Sequence, residues 1–447
     1  MSEALAIVRP SRRIIPTWAP MLISGQARTA FVVFGGLAVL QSSEGLGLIK
    51  IAYLFGVALA LVGALSNLRQ LETTAAYRLL RPLLGLSLLF AALVALSLGV
   101  AIANGTPVTA WLRDAAPYFF FASVPIFALD LRASASTRFV VAMFVIAGLL
   151  ASFSYTIEWL DRRNLADLPF GTFALPSSGL RSAIYIYALS GVLLSREPRT
   201  GWTVLSALVL SWGWIIAGRI DTLALPLIAL VIGALAIKRD RQFVRPTLRL
   251  LTVGGLALLF ALVFILSMVR FSDYNTSILT SRLGPLAQIS IGRSTDTGSV
   301  TTGLRADPSY QERSVQTRLA WQTFISEPIL GTGPGHTFAW DDSQGRPRVS
   351  FQVDTSLSVL AKFGIVGITL ILTLAIAFML FLRNAARGSG ITVAQTALVS
   401  YAALALLISP FAVPLEDKGF SFGLLFLLAL SLPSAATPDR VREGEAS

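Results

Sequence analysis

The feature that most restricts what this chain can fold into is the recurrence of apolar runs close to the length of a membrane span, separated by short stretches that hold the charge. In hydrocarbon the backbone has no water to bond to, so a run of about 20 apolar residues folds as a helix that satisfies its own N–H and C=O groups. Such runs lie at about 26–42, 46–65, 82–103, 115–131, 138–158, 180–195, 202–217, 220–237, 250–269, 354–382, 391–410 and 416–433. The expected fold class is therefore all-α: a polytopic membrane protein with about twelve transmembrane helices and one large extracytoplasmic loop containing an amphipathic helix.

Composition removes the soluble alternative. Residues are 54% hydrophobic and only 13% charged, too little charge to cover a globule in water. The net charge of +12 would suggest nucleic acid in a soluble protein. In a membrane protein it reads as basic residues retained in cytoplasmic loops, and no nucleic-acid partner is expected. The absence of cysteine excludes disulfides, thiolate chemistry and cysteine metal sites.

Lysine and arginine set the orientation. Arg69, Arg78 and Arg81, then Arg132 and Arg138, Arg196 and Arg199, the group from Lys238 to Arg249, and Arg383 with Arg387 all fall in alternate loops, and the intervening short loops hold few cations. By the positive-inside bias both ends are cytoplasmic and residues 270–353 lie outside. The chain divides into a cytoplasmic tail (1–27), spans one to nine (28–269), an extracytoplasmic loop (270–353), spans ten to twelve (354–433) and a second cytoplasmic tail (434–447). The first tail lacks the apolar core of a cleavable signal.

The loop breaks the composition. Ser272 to Tyr310 is rich in Ser, Thr, Gly, Asp and Arg without periodicity, and loops of such length are usually functional or disordered. From Glu312 to Ile325, Val315, Leu319, Ala320, Phe324 and Ile325 mark one apolar helical face. After Pro328 comes the turn Gly331-Thr332-Gly333-Pro334-Gly335, then His336, the only histidine in the protein, and a long apolar helix begins near Asp354.

Several residues here can carry chemistry. Arg219, in Gly218-Arg219-Ile220-Asp221 between two spans, is an interfacial charge: a functional group by default, or a structural ion pair with Asp221. Arg318 sits near Trp321 on the loop helix, so its guanidinium faces an anion or is simply solvated. Arg181, at the outer start of the sixth span, is a further cation for the same anion. The glycine turn is a weak phosphate signal without the Lys-Ser/Thr of a P-loop, and such turns also merely reverse a chain. His336 titrates near neutrality and suits a general base, or is structural. Asp354 is the alternative base, or an N-cap together with Thr355. Asp341-Asp342 lacks a third ligand at suitable spacing, so no metal and no cofactor is expected.

The order of these elements carries a resemblance. About twelve spans, a large external loop before the tenth, R-x-x-W at Arg318, P-I-L-G-T-G-P-G-H-T-F at 328–338 and the downstream L-A-K-F-G-I-V-G resemble the O-antigen ligase and polymerase superfamily. The turn A-G-R-I-D-T-L-A-L is similar to that family's Ser-Arg-Gly element. The resemblance implies an integral-membrane glycosyltransferase of the bacterial inner membrane, its active site facing the periplasm. Its donor is a polyprenyl-diphosphate-linked glycan, and its acceptor a sugar hydroxyl on a lipid core or a growing glycan. It implies Arg219 and Arg318 on the donor diphosphate and inversion at the anomeric carbon; the residues themselves add Arg181 at the same outer boundary and His336 or Asp354 as base. The chain departs from the ligase pattern in having Asp354-Thr355 where a His-Asn pair is common, and Gly218 where Ser precedes the arginine. The rival reading is a transporter or lipid flippase, which calls for charged groups lining a path across the membrane; Lys50 is the candidate for that.

Overall fold

Helices form over the expected apolar runs that fall within the described residues. The computed structural model describes residues 24–39, 47–161, 178–194, 200–215, 232, 244–271, 308–342, 345–389, 392–409 and 413–433. The helices are α1 (Gly25–Val39), α2 (Leu48–Leu71), α3 (Ala75–Ala103), α4 (Val108–Ser134), α5 (Thr137–Asp161), α6 (Ser178–Leu194), α7 (Thr200–Ile215) and α8 (Val244–Phe271), then the loop helix α9 (Pro308–Ser326). After a hairpin of β1 (Phe338–Asp341) and β2 (Pro347–Ser350) come α10 (Leu357–Ser389), α11 (Val393–Ile408), a 3-10 turn at Pro414–Glu416 and α12 (Lys418–Ser431). Local capping fixes several starts. The Thr74 side chain accepts from Tyr77 N–H ahead of α3, and Thr392 and Gln395 form a reciprocal capping box on α11.

Among the described residues four helices are long and apolar enough to cross a membrane: Leu48–Leu71, Ala75–Ala103, Val108–Ser134 and Leu357–Ala385. Shorter apolar helices accompany them, which is compatible with a membrane protein. The expected eighth span, 220–237, lies outside the described residues.

Burial within the bundle is uneven. In α4, 89% of the apolar window is buried, against 28% in α3 and α10 and 11% in α2. Helix α4 is therefore the hub, despite Pro117 and Pro125 within it. The outer helices show Leu48, Ile49, Phe55, Leu59, Leu96, Ile376 and Leu406 to the surroundings, an apolar exposure that water does not support and lipid does.

Contacts between helix termini define two ends. At one, Arg28 of α1 grips Asp130 of α4 bidentately (Nε to Oδ2 2.8 Å, Nη2 to Oδ1 2.7 Å), with Asn67 of α2 adding a 3.2 Å bond to Oδ1. At the same end Arg132 Nε donates to the carbonyl of Leu432, just past α12, and so fastens that helix to α4. The other, loop end carries α9, the hairpin and the starts of α4, α10 and α12. Helix α9 buries Gln316 and Ala320; of its expected apolar face, Val315, Leu319 and Phe324 are half-buried and Ile325 is exposed. Ala320, Phe338, Val353 and Ala361 form a small core of their own there, flanked by Leu319, Trp340 and Leu357. The hairpin pairs antiparallel, Phe338 opposite Ser350, and its turn is tied by Asp342, whose Oδ2 accepts from Arg346 Nε (2.9 Å) and Arg348 Nε (3.2 Å).

Candidate active site at the loop end

The site is built on a fault in α10. At Gly364 the backbone takes φ 60°, ψ −161°, which breaks the helix between two runs that would otherwise be continuous. A break leaves carbonyls and N–H groups without intrahelical partners, and in an apolar bundle these must be met. The segment Pro328–Gly333 meets them: Thr332 N–H donates to Ala361 O (2.9 Å) and Gly333 N–H to Lys362 O (3.0 Å), while Ile365 N–H donates to Pro328 O (2.9 Å) and Val366 N–H to Ile329 O (3.3 Å). The glycine turn is thus a plug seated in the broken helix.

Its last residue is seated on α4. Gly335, at φ 85°, donates its N–H to Asp114 Oδ2 at 2.6 Å. The N–H groups of Thr332, Gly333 and Gly335 all go to protein acceptors, so the turn docks the chain rather than cradling a phosphate.

Beneath the plug lies a buried ionic triad. Lys362 Nζ donates to Asp114 Oδ1 (2.8 Å) and Glu416 Oε1 (2.7 Å), with side-chain exposures of 0% for Lys362 and Asp114 and 5% for Glu416. Glu416 Oε1 also accepts from Tyr118 OH (2.6 Å) and Ser358 Oγ (3.0 Å). The ammonium stands 5.9 Å from the Tyr118 ring centroid. One cation, two carboxylates and two hydroxyls from α4, α10 and the 3-10 turn are joined in one network, a degree of satisfaction that buried charge requires.

His336 follows directly on Gly335. It is half-buried and meets the Phe338 ring edge-on at 5.1 Å. Burial, and then the charge of Lys362, hold its pKa below the ordinary 6.5, so at neutral pH the imidazole is unprotonated and able to accept a proton.

Cations from three helices converge at the same end of the bundle. The rings of Tyr53 (α2) and Phe120 (α4) stack at 6.3 Å, and Phe120 meets Phe422 (α12) edge-on at 5.6 Å, which draws these helices together. Lys50 lies one turn before Tyr53, Lys418 one turn before Phe422, and Arg113 two turns before Phe120, so all three emerge at the loop end of one seam. Lys50 and Arg113 are close enough for their charges to act on Lys418. Arg113 also packs its guanidinium 4.5 Å from the Phe351 ring centroid, reaching the residue after β2. Lys50, read from sequence as lying inside the second span, stands in the first turn of α2.

The other expected site residues are distributed unequally. Arg181 is buried in the first turn of α6, whose start abuts α12: Gly179 N–H donates to Asp417 Oδ2 at 2.9 Å. Asp354 is exposed, 4.0 Å from Arg313 Nε; its N–H donates to Gln316 Oε1 (2.7 Å), and it adjoins Val353 of the small core that also holds Phe338. Ahead of α10 the Thr355 hydroxyl accepts from Leu357 N–H at 3.4 Å. Arg318 is exposed and stands about 160–200° around α9 from the buried Gln316 and Ala320, on the face away from the bundle. Arg219 lies outside the described residues.

The residues missed from sequence are Asp114, Lys362 and Glu416, together with the convergence of Lys50, Arg113 and Lys418. A signal did exist: Lys362 interrupts an apolar run, and an ionisable group within a span is a site candidate by default. No protein-family model matches the chain, nor does a curated protein or a solved structure.

Proposed function

We propose that the protein is a membrane glycosyltransferase of the O-antigen ligase and polymerase type, with twelve spans, both termini cytoplasmic and the loop end facing the periplasm. It moves a glycan from a polyprenyl-diphosphate carrier to a sugar hydroxyl of a lipid core or a growing chain. The observation that carries this reading is that one end of an apolar bundle holds both His336, its pKa held below 6.5, and a seam of cations from three helices. The two reactants need those two things.

In the donor, the anomeric carbon is bonded to a diphosphate oxygen. The acceptor oxygen attacks that carbon, the carbon–oxygen bond to diphosphate breaks, and the electron pair leaves with the polyprenyl diphosphate. Cations stabilise the growing negative charge on the leaving group. We assign that work to Arg113, Lys418 and Lys50, with Arg181 beside α12, and Arg219 and Arg318 are retained as donor ligands by the resemblance. His336 Nδ1 or Nε2 takes the acceptor's proton as attack proceeds, and Asp354 is the alternative base.

The buried triad favours a second reading, a transporter of lipid-linked glycan, because ionisable groups in a span mark coupling pathways. Its depth weighs against that. Lys362 lies five residues into α10, about 8 Å along the helix axis, and so stays near the loop end instead of at the bilayer midplane.

One experiment separates the two. The protein is reconstituted in liposomes with a polyprenyl-diphosphate oligosaccharide, with and without a lipid-core acceptor and with chelator present, and products are resolved by size. A ladder from donor alone means a polymerase, and a single shift that needs the core means a ligase. Donor that crosses the bilayer without bond formation overturns the transferase reading.

A further inference from the structure

We infer that Lys362 is a positioning residue for His336: clamped between Asp114 and Glu416, it locks the Pro328–Gly335 plug into the break of α10 and fixes a positive charge beside the imidazole. The inference takes its functional meaning from the transferase reading, but its structural content stands apart from it.

Lys362 holds the plug from two sides. Its backbone carbonyl accepts from Gly333 N–H, and its ammonium orients Asp114, whose other carboxylate oxygen accepts from Gly335 N–H directly before His336. Through one side chain and one carbonyl, then, a single residue fixes positions 333 and 335 and leaves position 336 little freedom. Glu416 supplies the third support. It is tied to Tyr118 and Ser358 and sits two residues before Lys418, so the cation seam and the histidine are referred to the same buried point. Packing without charge would not need this. A buried lysine between two carboxylates is often no more stabilising than apolar groups of the same volume, so stability alone does not account for the network. The charged groups around the turn are Asp114 and Arg113 from α4, Lys362 from α10 and Glu416 beyond it; of these, the positive charge of Lys362 is the one that lowers the pKa of His336.

His336 is the only histidine in the chain, which makes the test unambiguous. The full protein in detergent is titrated through the imidazole signal of selectively labelled histidine, or through the pH dependence of carbethoxylation. In the unaltered protein the midpoint should fall below the ordinary 6.5, and a midpoint at or above that value overturns the inference. Lys362→Met should move it upward and raise the carbethoxylation rate measured with the imidazole fully unprotonated, because the plug loosens. Since that variant strands two carboxylates, which themselves favour the imidazolium, the combination Lys362→Met, Asp114→Asn, Glu416→Gln removes all three charges together and should give a smaller shift that is still upward. Lys362→Arg should keep the low midpoint. A folded charge-free variant whose histidine titrates and reacts as in the parent sinks the inference. Normal titration shifts in a protein that transfers no glycan would leave the positioning role intact and remove the transferase reading instead.

Discussion

Gly335→Ala tests the seat of His336 most directly, because the damage can be worked out from the backbone. Gly335 has φ 85°, and a Cβ built there would lie 2.7 Å from both Thr106 Cγ2 and Trp111 N and 2.9 Å from Ala110 C, two of them backbone atoms of α4 that cannot move aside. Holding an L-residue in a left-handed conformation costs about 1–2 kcal/mol. If the turn shifts to relieve the clash, the 2.6 Å bond to the Asp114 carboxylate is lost as well, and a hydrogen bond to a charged group contributes about 1.5–3 kcal/mol. Together these amount to roughly 2.5–5 kcal/mol against the seated turn, or about 60- to 4,000-fold in its population, if both terms are paid locally. The fold of the bundle should survive, since the plug is attached through only a few bonds. The assay is carbethoxylation of the single histidine, followed by mass spectrometry, alongside glycan transfer by the same preparation. His336 should become more reactive and transfer should fall by at least tenfold. A Gly335→Ala protein with parental reactivity and parental transfer would refute the claim that this turn places the histidine.

Four further outcomes follow from the same structure. With its pKa held below 6.5, His336 as base gives transfer that is flat near neutrality and declines only as pH falls below that value, a limb that His336→Gln should abolish; a limb centred above 6.5 counts against His336. The same shift means that the unfolded chain binds the proton more readily, so this residue's contribution to stability is full above pH 6.5 and diminishes as pH drops toward the folded value. Arg28→Ala leaves the buried Asp130 without its bidentate partner and should destabilise the bundle by about 3–5 kcal/mol in a thermal melt, with recovery when Asp130→Asn is added; a loss of a few tenths would mean that Asn67 and neighbouring groups suffice. Arg318→Ala, on an exposed face, should change stability by no more than about 0.5 kcal/mol, so a large fall in transfer by that variant would be assigned to a lost substrate contact, and unchanged transfer would remove Arg318 from the donor site.

Part of the site was readable in advance. The sequence placed Gly331–Gly335 and His336 in one turn, recognised the loop helix, and put Arg181 at the start of a helix on the same end. It did not reveal that the turn inserts into α10. The motif Lys362-Phe363-Gly364 reads as uninterrupted helix, since glycine is tolerated in apolar helices and nothing nearby marks a break. Nor did it reveal the hub: α4 carries two prolines and a charged pair, Arg113-Asp114, which make it look shorter and weaker than α2, although α4 is the buried helix and α2 the exposed one.

What the sequence determined by itself is the set of helices and the way charge is shared between their ends. Both are local: a run of apolar residues must form helix in hydrocarbon whatever surrounds it, and loop charge follows from residues a few positions apart. What only the tertiary structure decided is which ionisable groups share a buried point. Lys362 reaches Asp114 across 248 residues and Glu416 across 54, and the break at Gly364 is filled by a segment that precedes it by about thirty. Periodicity cannot encode such pairings. They arise because every buried donor, acceptor and charge must find a partner wherever packing brings one, and in this bundle the packing brings them together beneath His336.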